Sequence, residues 1–443
     1  MDRIPASEAG DPSSNLGGSA IFCRKFSRKR SRASRGKFAV AAFPPPEQNR
    51  PQMHDTFIDA VSKLDLSRVP SPCHLIHRGL LEENCRLLRR VQERTGARIL
   101  LALKGFAQFS EFPLISRYLA GTTASGLHEA LLGKEFFPGE CHVYSPAFPP
   151  ADVPELAKFV DHISFNSPAQ WARFRGEIEN CGRKISCGLR VNPQYAEVEH
   201  EIYNPCAHGS RLGTIRSEIA DAGTLAGLEG LHMHTMCEQG ADVLARTLPH
   251  FEEKFGEFIP QMKWINFGGG HWITHLGYDV DLLCKTLLDF RKKWGAHIQL
   301  YLEPGEAVAI RTGILVCTVL DIVRNGIPIA ILDTSASAHM PDTLEMPYRA
   351  EILGAGTPGE FAHTYRLAGG TCLAGDVLGD YSFPQPLVPG QRLALLDMSH
   401  YTMVKNTTFN GICLPAIASY IPETDEYKLV RRFGYADYKN KLS

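Results

Sequence analysis

Eight short runs of apolar and β-branched residues punctuate the first two thirds of the chain, at 99–103, 121–124, 141–144, 162–165, 187–191, 230–234, 264–267 and 299–302. Flanking them are stretches whose apolar positions recur every three or four residues, such as 80–95, 127–136, 169–179 and 280–294. The first pattern predicts buried strands and the second predicts amphipathic helices. Strand alternating with helix predicts a parallel sheet, because parallel neighbours need a crossover between them. Eight such units over roughly 200–250 residues predict an α/β fold of the (β/α)8 TIM-barrel type. An open doubly wound sheet is the alternative, usually with fewer strands.

After Pro304 the pattern changes. Segments 313–323, 327–332, 392–396 and 401–404 are strand-like, with Gly and Pro between them and little helical periodicity. We expect a barrel over residues 75–305 and a mostly β C-terminal domain over 306–443, with a further strand for that domain supplied from 56–74.

Charge separates the N-terminus from the rest. The whole chain has 47 Lys and Arg, 48 Asp and Glu and a net charge of −1. Residues 1–50 hold ten basic residues against four acids (Asp2, Glu8, Asp11, Glu47), so the remainder carries a net −7. We expect residues 1–54 to be a disordered basic extension. Its Ser and Arg content resembles a plastid or mitochondrial transit peptide, though its acids weaken that reading, and a plain tail on a cytoplasmic protein is the alternative. The acidic body argues against nucleic-acid binding. No apolar run approaches the ~18 residues that a membrane-spanning helix needs. The twelve cysteines are scattered without a Cys-x-x-Cys pair and read as reduced thiols.

Active sites of such barrels lie at the C-terminal ends of the strands. Lys104 closes the first run, where partial desolvation would make its amine a usable nucleophile; a lone strand-end lysine more often simply reaches solvent. Gly268, Gly269 and Gly270 follow another run, and consecutive glycines there can offer N–H groups to a phosphate. Glu303, fixed before Pro304, could partner a protonated ring nitrogen. His232 and His234 share one strand face; with no third ligand evident, we expect no metal, and stacking of an imidazole on a planar cofactor is the better reading. An amine, a phosphate cradle, a carboxylate and a stacking ring on one rim suit pyridoxal 5'-phosphate (PLP).

These residues sit in longer stretches, among them LLALKGFAQFSEFPLI, NPCAHGSRLG, WINFGGGHWIT, YLEPGEAVA, GGTCLAGDVLGDYSF and HYTMVKNTTFNGI. Over roughly residues 70–420 the chain resembles the fold-type III PLP-dependent decarboxylases, the group of ornithine, arginine and diaminopimelate decarboxylases. Within that group it is most similar to the carboxynorspermidine (carboxyspermidine) decarboxylases. The resemblance implies that Lys104 binds the cofactor covalently, His234 stacks on its ring, Glu303 pairs with the ring nitrogen, and the three glycines with Tyr401 hold its phosphate. Cys372 would enter the neighbouring subunit's site and return a proton to the substrate, in a homodimer with shared sites.

The chain departs from several relatives at Glu306, where they carry arginine, and at Leu373, where an acid commonly reads the substrate. For a polyamine with one α-amino-acid end, Glu306, Asp333, Asp342 and Asp376 are the candidates to bind distal ammonium groups. The alternatives are a diaminopimelate or basic amino-acid decarboxylase of the same fold, or a non-catalytic regulator of a polyamine pathway. Carboxynorspermidine and carboxyspermidine differ by one methylene, worth only about 1–3 kcal/mol of discrimination, and the sequence does not choose between them.

Overall fold

The computed structural model describes residues 56–443; the expectation for residues 1–54 lies outside them. The strands run in chain order as β1 (Cys73–His77), β2 (Arg98–Ala102), β3 (Gly121–Ala124), β4 (Glu140–Tyr144), β5 (His162–Phe165), β6 (Ser186–Val191), β7 (Gly230–Met233), β8 (Trp264–Asn266) and β9 (Gln299–Leu302). They continue as β10 (Gly313–Asn325), β11 (Ile327–Leu332), β12 (His363–Ala368), β13 (Val377–Phe383), β14 (Arg392–Leu396), β15 (Ala416–Ile421) and β16 (Glu426–Arg431). Strands β2 to β9 close into a parallel barrel, with β9 pairing back onto β2. The eight predicted runs are these eight strands.

The helices cover the barrel through one apolar face each. In the helix Arg78–Thr95, the buried residues Leu81, Cys85, Leu88, Val91 and Thr95 recur every three or four positions. The His77 ring accepts from the Leu80 N–H at 3.3 Å and caps the start. Among the described residues, no helix is long and apolar enough to cross a membrane.

The lower barrel interior is polar and aromatic where branched aliphatic side chains dominate most such barrels. Glu140 pairs with Arg98 at 2.9 Å and with His142 at 3.0 Å. His142 stacks on His162, with ring centroids 3.9 Å apart. Trp264 and Tyr301 pack on this pair. The potential ligand atoms of Glu140, His142 and His162 lie within 4.8 Å of one another. Arg98 already occupies the carboxylate, so the group is a hydrogen-bonded floor.

The remaining strands form one sheet in the order β13-β12-β11-β10-β1-β15-β16, with β14 also on β10. Strand β1 precedes the barrel in sequence but lies in this sheet, antiparallel to β10 and parallel to β15. Both β10 and β14 run apolar toward their cores, with Leu315, Cys317 and Leu395 on one side and Ile314, Val316 and Leu396 on the other.

Candidate active site

The C-terminal ends of the barrel strands surround a niche lined by Lys104, Tyr144, Arg190, His234, Gly269 and Glu303. The niche opens into a cavity of about 850 Å3 that reaches the sheet domain's loops. Lys104 leaves the barrel after β2 and points into this space. The side chain is exposed to the cavity, but the protein packed densely around it, and after that the nearby Arg190 cation, pull its amine pKa below the lysine range. Such an amine sheds its proton at a lower pH than an exposed lysine and becomes a nucleophile.

Glu303 stands at the end of β9. Its Oε1 accepts from the Asn266 amide at 2.7 Å, and its Oε2 lies 3.6 Å from His232 Nε2. Burial pushes the carboxyl pKa up, against the hydrogen bonds from Asn266 and Thr123 and the nearby cations. A carboxyl so placed readily shares a proton with a partner that enters the niche.

His234 is fixed by its neighbours. Its Nδ1 accepts from the Gly269 N–H at 2.8 Å, which leaves the hydrogen on Nε2. Burial, then Lys104 and Arg190, hold its pKa well below the usual value, so the ring is neutral. Arg190 donates to the His234 carbonyl at 3.3 Å and lies over the Tyr144 ring at 4.4 Å.

The glycine run follows β8. Its N–H groups are not equivalent. Gly268 donates to Asn266 Oδ1 at 2.8 Å and Gly269 donates to His234, which narrows the phosphate expectation to Gly270 and the residues after it. Gly270 has φ +82, and an added Cβ would sit 2.0 Å from the Met236 carbonyl, so only glycine fits. Among the described residues its N–H finds no acceptor. Tyr401 lines the same cavity, and its N–H is tied to the Gly105 carbonyl at 2.8 Å. A desolvated lysine, an unpaired glycine N–H and a proton-holding carboxyl around one niche fit PLP.

The four candidate acids separate. Glu306 and Asp342 line the cavity, and Asp342 pairs with Lys405. Asp376 does not serve as expected. It is 3% exposed, and its carboxylate is saturated by Ser335 Oγ at 2.9–3.0 Å, Thr371 Oγ1 at 2.6 Å and the N–H groups of Ser337 and Thr371 at 3.1 Å. It braces the Gly-Gly-Thr-Cys turn. Asp333 likewise accepts from the Thr318 N–H at 2.7 Å and is not among the cavity's lining residues. Cys372 is exposed, with its N–H on Asn410 Oδ1 at 2.7 Å, and also lies outside this chain's own cavity.

Three residues of the cavity wall escaped the sequence reading: Glu238, Asp397 and His400. His400 Nε2 is 3.3 Å from Asp397 Oδ1. Asp397 Oδ1 also accepts from the Arg311 N–H at 2.6 Å. Glu238, Asp397 and Arg311 all have positive φ, at 52°, 55° and 53°, a conformation that non-glycine residues rarely adopt. Such positions in the sequence were the one available signal, and side-chain identity does not announce them.

The chain is similar to known proteins over most of its length. The family described as pyridoxal-dependent decarboxylase, C-terminal sheet domain, matches residues 55–399. Carboxyaminopropylagmatine decarboxylase of Synechocystis sp. is 46% identical over 379 residues, which span 85% of this chain and 96% of that protein. Carboxynorspermidine/carboxyspermidine decarboxylase of Campylobacter jejuni subsp. jejuni is 46% identical over 384 residues, 84% of this chain and 98% of that one. The crystal structure of carboxynorspermidine decarboxylase from Campylobacter jejuni complexed with norspermidine has a TM-score of 0.77 at 44% identity, and covers 84% of this chain and 100% of that chain. Diaminopimelate decarboxylase from Helicobacter pylori, at 15% identity and a TM-score of 0.71, shares the fold. The chain therefore belongs to the pyridoxal-dependent decarboxylases, PLP enzymes built on a barrel and a sheet domain, in the group that includes the carboxynorspermidine/carboxyspermidine decarboxylases.

Proposed function

We propose that this enzyme decarboxylates the α-amino-acid end of a carboxylated polyamine, carboxynorspermidine or carboxyspermidine, and releases norspermidine or spermidine. The observation that carries the reading is the acidic wall: Glu306, Glu238, Asp342 and Asp397 line the cavity that opens from Lys104. A chain of ammonium groups needs carboxylates at intervals along its path, and the wall supplies them beyond the reacting centre. The Campylobacter jejuni relative, solved with norspermidine, supports the same class.

PLP, when bound, supplies an electron sink for the pair left behind as CO2 departs. Lys104 would hold it through the amine and yield that position to the substrate's α-amino group. Glu303 would keep a proton at the ring nitrogen. The His234 imidazole, locked by Gly269, would pack on the ring face, and Gly270 with Tyr401 would take the phosphate. Cys372, exposed on its braced turn, would serve the neighbouring subunit of a homodimer and return the proton to the α-carbon. The compartment in this reading is the cytoplasm, a reducing environment that suits the eleven free cysteines among the described residues.

A second substrate deserves a place beside these. Carboxyaminopropylagmatine, named for the Synechocystis relative, presents a guanidinium where the others present an ammonium, and Asp342 could accept either. The test is turnover of purified holoenzyme with all three compounds and with diaminopimelate, with products identified by mass. Release of norspermidine, spermidine or the corresponding agmatine derivative is expected. Turnover of diaminopimelate alone would replace this reading.

A further inference from the structure

The cavity wall next to Lys104 carries an imidazole among acids. Glu238 comes from the loop after β7, Glu306 from the turn after β9, and Asp397 and His400 from the loop after β14. All four line one cavity, and Asp397 and Glu238 act on the ionisation of both Glu306 and His400. Both ring nitrogens of His400 are buried, and neither has a hydrogen-bond partner. The 3.3 Å approach to Asp397 is an ion-pair contact off the hydrogen-bonding line. An imidazole held against a carboxylate at a cavity wall is placed to keep a positive charge there.

We propose that Glu238 is a direct binding residue for the inner ammonium of the substrate's amine chain, beside Glu306, and that His400 is the positioning residue that keeps Glu238, Glu306 and Asp397 from repelling one another before the amine arrives. This rests on the polyamine reading and refines it: Asp342 lies with Lys405 farther along the wall and suits the terminal cation. With His400 charged, the three carboxylates and the imidazolium sum to −2. One inner ammonium reduces that to −1.

The ionisation of the wall agrees with this. Burial works against a charge on His400, but the Asp397 contact and the charges of Glu306 and Glu238 outweigh it and raise its pKa to about 9. Burial first, with Glu238 and Asp397 adding to it and His400 opposing it, raises Glu306 to about 7. Burial also raises Glu238, and His400 opposes that rise. The other titratable or charged groups on the wall are Asp342 with Lys405, Arg311, Arg349, Glu351, Tyr203, Tyr348, Tyr401 and Cys237, and His200 also acts on Glu238. As pH falls through about 7, Glu306 takes up a proton and its hold on an ammonium weakens. Without the His400 imidazolium, Glu306 protonates at a higher pH, so the weakening begins earlier on the way down.

The experiment is calorimetric binding of norspermidine to holoenzyme across about pH 6 to 9, for wild type, Glu238→Gln and His400→Gln. Glu238→Gln is expected to weaken binding about ten- to a hundred-fold, the loss of one charged hydrogen bond, with the cofactor spectrum unchanged. His400→Gln is expected to move the acid-side loss of affinity upward by about one pH unit. Affinity within about twofold of wild type in Glu238→Gln, or an unmoved pH midpoint in His400→Gln, would overturn the assignment. Turnover separates this from the function itself: wild type active on the carboxylated polyamines, with both variants binding normally, keeps the function and removes the inference. Wild type that binds no norspermidine at any pH removes the inference as well.

Discussion

Lys104 combines two properties that rarely meet in one lysine: access to a cavity and a depressed pKa. The first comes from its place at a strand end, the second from the protein packed densely around it and from Arg190. Lys104→Ala is expected to abolish the visible absorbance of covalently held cofactor and to lower activity by more than about 10^4-fold, the scale seen when a covalent nucleophile is removed. An unchanged absorbance spectrum takes that role from Lys104. Its position, like those of Glu303 and His234, was legible in the sequence because each directly follows an apolar run, and barrel strands all deliver their C-terminal ends to one rim. Glu238, Asp397 and His400 were not legible. Glu238 sits in one loop and Asp397 and His400 in another, and their meeting depends on backbone conformations, such as the positive φ of Glu238 and Asp397, that no periodicity encodes. Asp376 was misjudged for a different reason. A motif shows that an acid is near a reactive cysteine, but not that Ser335, Ser337 and Thr371 already use every oxygen it has.

At the scale of single elements, the barrel's interior is set by one large ring and the small residues that admit it. An added Cβ at Gly230 would lie 2.0 Å from the Trp264 ring, and one at Gly188 would lie 2.3 Å from it. Strands β6 and β7 therefore pass Trp264 without side chains, and the indole fills the space that branched residues would otherwise occupy. Gly230→Ala is expected to destabilise the fold by about 1–3 kcal/mol through overpacking, read as a lower denaturant midpoint. An unchanged midpoint would show that the indole swings aside at no cost. The sequence made these strands easy to find because they are buried runs. It hid the floor beneath them: His142 and His162 fall inside such runs and Glu140 just before one, where they look like interruptions, whereas they pair with one another and with Arg98.

For the molecule as a whole, net charge was misleading and its distribution was useful. The overall −1 conceals an acidic body, and part of that acidity lines the cavity wall. The division into barrel and sheet was also visible, since helical periodicity fades after Pro304. The strand order was not, because register across hundreds of residues leaves no local mark. The described residues 56–443 form one compact unit, with β1 inserted between β10 and β15 in the sheet although the barrel separates it from both in sequence. One cooperative calorimetric transition is expected for the described region. Two resolved transitions would show that the sheet opens while the barrel stands.

That placement of β1 also imposes an order on synthesis. Cys73 pairs with Val316 on one side and with Ala416 on the other, so the strand leaves the ribosome long before either neighbour exists. At ordinary elongation rates of about 5–20 residues per second, the first neighbour follows roughly 10–50 s later. Throughout that interval an apolar strand has two open edges, and the barrel is made in the meantime. The nascent chain thus has a window in which a chaperone, or another copy's β10, can reach β1 before its own partner does.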